Sequence, residues 1–236
     1  MTEVDKLSNW EDEINNIPAY TIADASRYLH IPLPTLRSWL KGRNYTTKSG
    51  KKEFLPLIQR PSTKYTQLSF TNLVEAHVLR VIRTDHKITL DKVRTALDYL
   101  SKYFSTTHPL VQKQFKTDGV NLFIEQLEHL IDVSRSGQLV IRETLENLLS
   151  RVEWDKKEEV ARLFPLIRDD DESKVISIDP KVSFGKPTIA GTGVPTKIVT
   201  QRYDAGDSIE EIADDYNCQP SQVKDAIRFE SYYRAA

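Results

Sequence analysis

The chain is poor in the residues from which several kinds of site are built. One cysteine, Cys218, stands among 236 residues, which excludes an internal disulfide and any Cys-rich zinc or iron-sulfur centre. Eight glycines and eleven prolines are too few for a fibrous or low-complexity chain. No apolar run approaches the roughly 18 residues a bilayer crossing needs, and the opening MTEVDKLSNWEDEINN has no hydrophobic signal core. These absences predict a protein that neither spans a membrane nor is secreted, in a reducing cytoplasm. The five histidines, His30, His77, His86, His108 and His129, do not pair at helical spacing with a second ligand-type residue, so no metal site is expected. There is no nucleophile with a nearby base and no nucleotide loop. The expectation is therefore no catalytic residue, no cofactor and no enzymatic activity.

What is present is an ordinary globular composition, 39% hydrophobic and 28% charged, in a length that suits two modest domains or one large one. The net charge of −1 conceals a strong asymmetry. Between Arg27 and Lys64 lie nine Lys or Arg and one acid, Glu53, a window of charge +8 in a chain whose remainder is −9. Such a window attracts polyanions.

That window begins with two short helical patterns in YTIADASRYLHIPLPTLRSWLKG, residues 20–42, broken around His30 to Leu33. Thr21 can cap the first, which places Ile22, Ala25, Ser26 and Leu29 at helical spacing. Pro34 suits the first turn of the second. There Leu36, Trp39 and Leu40 form one apolar stripe, and Thr35, Arg37, Ser38 and Lys41 face elsewhere. Two short helices with a tight turn, the second exposing cations, fit a helix-turn-helix whose second helix enters a major groove. The plain alternative is a helical hairpin with solvated cations. The polar stretch RNYTTKSGKK that follows reads as a hairpin with a charged tip, a wing. Beyond it, two further helical patterns are capped by Ser69 and Thr89.

Taken together, YTIADASRYLHIPLPTLRSWL, the basic wing, LSFTNLVEAHVLRVIR and KITLDKVRTALDYL resemble the winged helix of MerR-type regulators. The resemblance implies that Thr35, Arg37, Ser38 and Lys41 lie at the DNA groove, and that Lys48, Lys51 and Lys52 grip the backbone from the wing; Arg43 is a further candidate DNA contact. Leu33 stands where that family usually places a Ser or Thr cap.

From Phe115 to Ile141 the apolar residues alternate around Asp118-Gly119 and Ser136-Gly137, which predicts two β-hairpins. A helix should follow, with Leu145, Leu148, Leu149 and Val152 on one face. His77, on an apolar face, reads as a packed or hydrogen-bonded side chain.

LIRDDDESK, residues 166–174, reads as an acidic linker. After it, VISID and PTIA predict two short strands; Gly185, Gly191 and Gly193 predict tight turns rather than a phosphate loop. Three helices follow, one opening at Pro195, one with a Ser208/Glu211 capping box and one capped by Ser221. Six acids and no cation between Tyr203 and Tyr216 would repel a duplex, so protein binding is the expected role there.

The run IDPKVSFGKPTIAGTGVPTKIV with AGDSIEEIADDY closely resembles the bacterial antitoxin domain of domain-of-unknown-function family 433. That resemblance implies a VapB-type antitoxin that neutralises a PIN-like ribonuclease toxin and represses its own operon as a homodimer on double-stranded operator DNA. Arg202, Arg228 and Arg234 are the candidate toxin contacts; pairing with Asp204, Asp225 or Glu230 is their plain alternative. The rival functional reading is a stand-alone MerR-like regulator of a small molecule. The expected fold is mainly α with small β elements (α+β). Its expected parts are an N-terminal extension over 1–19, the winged helix over 20–105, central hairpins and helices over 106–165, the linker, and a three-helix bundle with a short hairpin over 175–236.

Overall fold

The computed structural model describes residues 14–47, 50–62, 64–83, 88–130, 135–166 and 173–231. Helices predominate, and the sheets among these residues are three antiparallel pairs. The winged helix comprises α1 (Ile22–Leu29), α2 (Leu33–Lys41), β1 (Arg43–Thr47), β2 (Gly50–Phe54), α3 (Phe70–Val78) continuing as a 3-10 turn over Leu79–Arg83, and α4 (Leu90–Tyr103). Thr21 and Ser69 cap α1 and α3 through their hydroxyls; Ser69 completes a capping box with Asn72. Thr89 takes the cap position of α4 without a side-chain bond.

All nine residues of α3 are buried, which makes it the axis around which the other elements pack. Its polar side chains are therefore paired within the protein. His77 Nε2 lies 3.0 Å from the Leu148 carbonyl, and burial, aided by the charge of Arg80, pushes its pKa down to about 3. The ring is thus neutral, and Nε2 carries the proton that is donated to the carbonyl. Asn72 donates to the Gln59 carbonyl and to Glu75, and Glu75 also meets His108 Nδ1 at 3.1 Å.

The central segment departs from the expected hairpins. Phe115–Gly119 is a single π-helical turn leading directly into α5 (Val120–Leu130), and α6 spans Arg135–Ser150. Asp118-Gly119 lies inside this helical run because the glycine answers a packing demand: a Cβ on Gly119 would sit 2.5 Å from Phe115 Cδ2 and 3.2 Å from Phe104. The dipeptide marks close approach rather than chain reversal. Gly137 is likewise within α6. The apolar spacing is that of helix faces, with Phe123, Ile124 and Leu127 buried on α5 and Ile141, Leu145, Leu148 and Leu149 on α6. Val152 opens β3 (Val152–Trp154), which pairs with β4 (Val160–Leu163), so the hairpin described in this region follows the helices.

The C-terminal part contains β5 (Ile176–Ser177) paired with β6 (Thr188–Ile189), then α7 (Thr196–Asp204), α8 (Ile209–Asp215) and α9 (Pro220–Ser231). The Ser208/Glu211 capping box forms as its spacing predicts. Ser221 does not cap α9; the helix starts one residue earlier, and the Gln222 side chain accepts from the Gln219 amide. Gly185, Gly191 and Gly193 all have positive φ, as tight turning requires.

Of the acidic stretch 166–174, residues 167–172 lie outside the described residues. The chain on either side is firmly held. Buried Arg151 donates to the carbonyls of Phe164, Pro165 and Ser173, and Leu163 exchanges two backbone hydrogen bonds with Ile178. A buried guanidinium is stable only when its donors are satisfied in this way. It ties the two flanks of the stretch together.

Candidate nucleic-acid interface

The turn between α1 and α2 is set by His30, whose left-handed backbone (φ 52°) lets its amide bond back to Arg27 and Ser26. Ser26 Oγ then donates to the Ile31 carbonyl at 2.6 Å, and Ile31 is fully buried. Helix α2 starts at Leu33 with Pro32 in the cap position and no side-chain cap. A missing cap costs about 1 kcal/mol. Burial of Leu36, Trp39 and Leu40 contributes about 1.5–3 kcal/mol for each large apolar side chain, so packing, not capping, holds this helix.

The same packing decides which side chains α2 offers outward. Pro34, Arg37 and Lys41 are exposed and share one face; Thr35 and Ser38 are half-buried beside it. Ser38 differs from the others because its Oγ is shielded from solvent. The open cationic face is therefore Arg37 and Lys41.

Gly42 joins this helix to the wing. Its φ is +68°, and a Cβ there would collide with the Phe54 carbonyl oxygen. Strand β1 leaves immediately and pairs with β2 in the register Arg43↔Phe54, Asn44↔Glu53, Tyr45↔Lys52, Thr46↔Lys51 and Thr47↔Gly50. Lys51 and Lys52 thus occupy positions next to the tip, and Lys48 lies outside the described residues. The return from the wing is fastened twice: Leu57 and Ile58 amides donate to the Trp39 carbonyl at 2.7 and 3.1 Å, and Arg94 donates to the carbonyls of Leu55 and Pro56 while stacking over Phe54. These contacts pin the base of the wing to the end of α2.

Not every cation of the basic window faces outward. Arg27 Nη1 meets Glu230 of α9 at 2.9 Å, and the same carboxylate accepts from the buried Thr196 hydroxyl at 2.6 Å. Tyr28 stacks on Phe229, His30 lies against the same ring, and the Tyr20 hydroxyl fills the space beside Gly185. The C-terminal helices thus sit directly on α1. This clasp is invisible in the sequence, since nothing local distinguishes Arg27 from Arg37.

Among the C-terminal arginines, Arg202 is enclosed by its own domain. It pairs with Asp207 at 2.6 Å and Asp215 at 2.7 Å and lies over the Tyr216 ring; hydrogen bonds to Asp207, Tyr216 and Asp215 raise its pKa further. Arg228 donates to Asp225 at 3.2 Å, and its side chain is 61% exposed. Arg234 lies outside the described residues.

Residues 18–97 match the family described as "Putative DNA-binding HTH domain", and residues 176–229 match DUF433, "Protein of unknown function". The chain thus carries a region of the helix-turn-helix family followed by a C-terminal DUF433 region. Two proteins of Mycobacterium tuberculosis align along nearly the whole of this helix-turn-helix and DUF433 chain. "Putative antitoxin VapB45" is 29% identical over 90% of this chain and 93% of its own length; "Uncharacterized protein Rv2308" is 23% identical over 92% of each. The crystal structure of Rv2018 from the same organism superposes with a TM-score of 0.66 at 24% identity, covering 90% of this chain and 98% of that one. The overall fold, from the winged helix through the DUF433 domain, has a solved counterpart.

Proposed function

We propose that this protein is a DNA-binding antitoxin: its winged helix represses its own operon, and its DUF433 domain neutralises a PIN-like ribonuclease. The observation that carries the DNA half is the packing of α2, which buries Leu36, Trp39 and Leu40, leaves Arg37 and Lys41 open and fastens the base of the wing beside them. Such a helix enters the major groove while the wing reaches adjacent phosphates. Thr35 flanks the reading face; Arg43, Lys48, Lys51 and Lys52 supply backbone contacts; Ser38 joins only if its hydroxyl turns outward. A homodimer doubles these contacts on a palindrome.

The toxin half rests on the similarity to VapB45 and on the acidic surface of α8, which repels a duplex and suits a protein partner. A PIN-like nuclease gathers carboxylates around its metal, so a cationic side chain from the antitoxin can block the cleft. Of the two described arginines named for that role, Arg228 is the more open; Arg202 would first have to leave Asp207 and Asp215. Such a protein works in the cytoplasm. Among the described residues no helix is long and apolar enough to cross a membrane.

The test is duplex binding at a series of salt concentrations, using DNA from upstream of the protein's own gene. Removing one phosphate-neutralising cation lowers the log–log salt slope by about 0.9. Arg37→Ala should weaken binding to that duplex while neutralisation of a co-expressed nuclease persists; binding indifferent to salt, or loss of both activities together, would overturn the division of labour.

A further inference from the structure

The DUF433 domain contains one side chain that its own fold does not use. Phe184 is 93% exposed, although a phenylalanine in water forfeits the burial that normally justifies it. Its backbone is equally unusual. Ser183, Phe184 and Gly185 have φ of 47°, 56° and 71° in succession, which makes a turn of left-handed helix. L-residues visit this region singly, and a run of them is strained. The turn is nonetheless over-determined. Gly185 and Lys186 amides bond to the Val182 and Ser183 carbonyls, Ser183 Oγ donates to the Gly193 carbonyl at 2.7 Å, and Gly185 lies against the Tyr20 hydroxyl. These bonds hold a strained turn in place, and the turn holds an aromatic ring out in solvent.

Charge says what kind of surface would meet it. Residues 174–200 carry four lysines, Lys174, Lys181, Lys186 and Lys197, and one acid, Asp179, which is engaged by Arg162 at 3.3 Å. Residues 201–231 carry three cations and eight acids. The Phe184 turn is thus the cationic pole of an otherwise anionic domain. Lys186 beside it is exposed, and Lys197 and Ile198, next to Pro195 that bridges to Thr188, are exposed too.

We propose that Phe184, with Lys186, is the anchor by which the DUF433 domain engages an acidic cleft on its partner protein, the aromatic ring filling the cleft and the lysine meeting its carboxylates. This rests on the antitoxin reading above and gives that reading a place. Rigid aromatic knobs are the commonest interface anchors because they bury much area and lose little conformational freedom on binding. A nucleic-acid surface would pair the same ring with phosphate contacts, and a loss of duplex affinity on removing the ring would reveal it.

The experiment uses the full-length chain and a PIN-like ribonuclease encoded beside its gene, co-expressed in a bacterial host, with growth rescue and co-purification as readouts. Phe184→Ala and Lys186→Glu should each lower affinity for the nuclease at least roughly tenfold, as truncation of an anchor does. Salt-dependent binding to the upstream duplex should stay unchanged. Phe184→Gly should lose the nuclease and melt higher, because glycine relieves the left-handed strain; that combination separates a missing anchor from a misfolded chain. Wild-type neutralisation by Phe184→Ala would overturn the anchor, and so would a loss of duplex affinity in its place. If the wild-type chain fails to neutralise the nuclease, the antitoxin reading itself falls.

Discussion

Arg27 and Arg37 stand ten residues apart in the same basic window, on consecutive helices, and their surroundings give them opposite roles. Replacing Arg27 by Ala removes the partner of Glu230, whose side chain is 6% exposed, and leaves that carboxylate with the Thr196 hydroxyl alone. Breaking a buried pair from one side costs about 3–5 kcal/mol. Arg27 is itself 27% exposed and shares its charge with Asp24 at 3.4 Å, so solvent screening reduces the figure to about 2–3 kcal/mol. In a chain of this size each kcal/mol moves the thermal midpoint by about 2–4 °C, which predicts a fall of about 4–12 °C. The salt slope of duplex binding should not change. Arg37→Ala should do the reverse, leaving the midpoint within about 1 °C, as surface substitutions do, and reducing the slope by about one phosphate. Scanning calorimetry and fluorescence anisotropy on both variants check this. An Arg27→Ala protein that melts like the wild type, or whose salt slope falls as that of Arg37→Ala does, refutes the clasp.

Gly42→Ala forces an L-residue into a left-handed backbone and drives its Cβ into the Phe54 carbonyl oxygen; at least about 1–2 kcal/mol of stability should be lost, and duplex affinity with it, measured by urea unfolding and anisotropy. Gly119→Ala crowds the Phe115 ring and should cost about 1–3 kcal/mol without altering the duplex salt slope. His108 adds a pH dependence: burial works against its charge, but the hydrogen bond and charge of Glu75 outweigh it, and its pKa is raised. A raised folded pKa means that the contribution is complete below the unfolded value of about 6.5 and is lost as pH rises through the folded value. Unfolding midpoints should therefore fall across that range, and His108→Gln should flatten the fall; an unchanged profile in the variant would assign the dependence elsewhere.

The parts of the fold legible in the sequence are those governed by neighbours in the chain. The Thr21, Ser69 and Ser208 caps form where hydroxyl and spacing place them, and the Leu36, Trp39 and Leu40 stripe, the wing and the three C-terminal helices follow from local pattern. The hairpin expected at Asp118-Gly119 does not form because a glycine after Asp has two uses, and only the ring of Phe115 tells them apart. The interface is half legible: Arg37 and Lys41 emerge from helical periodicity, whereas the shielding of Ser38 Oγ and the engagement of Arg27 by a residue 203 positions away are tertiary. Phe184 leaves a trace in SFGKP that reads as a turn, but no pattern announces an aromatic side chain held outward.

The pairing of Leu163 with Ile178 limits how this chain can be dissected. A fragment ending near residue 174 would lose the backbone partner of Leu163 and uncover Tyr28 and His30, now beneath Phe229. Bare strand margins and freshly exposed rings invite self-association. Halves of the molecule would report on stickiness more than on division of labour, and single substitutions in the intact polypeptide are the sharper instrument.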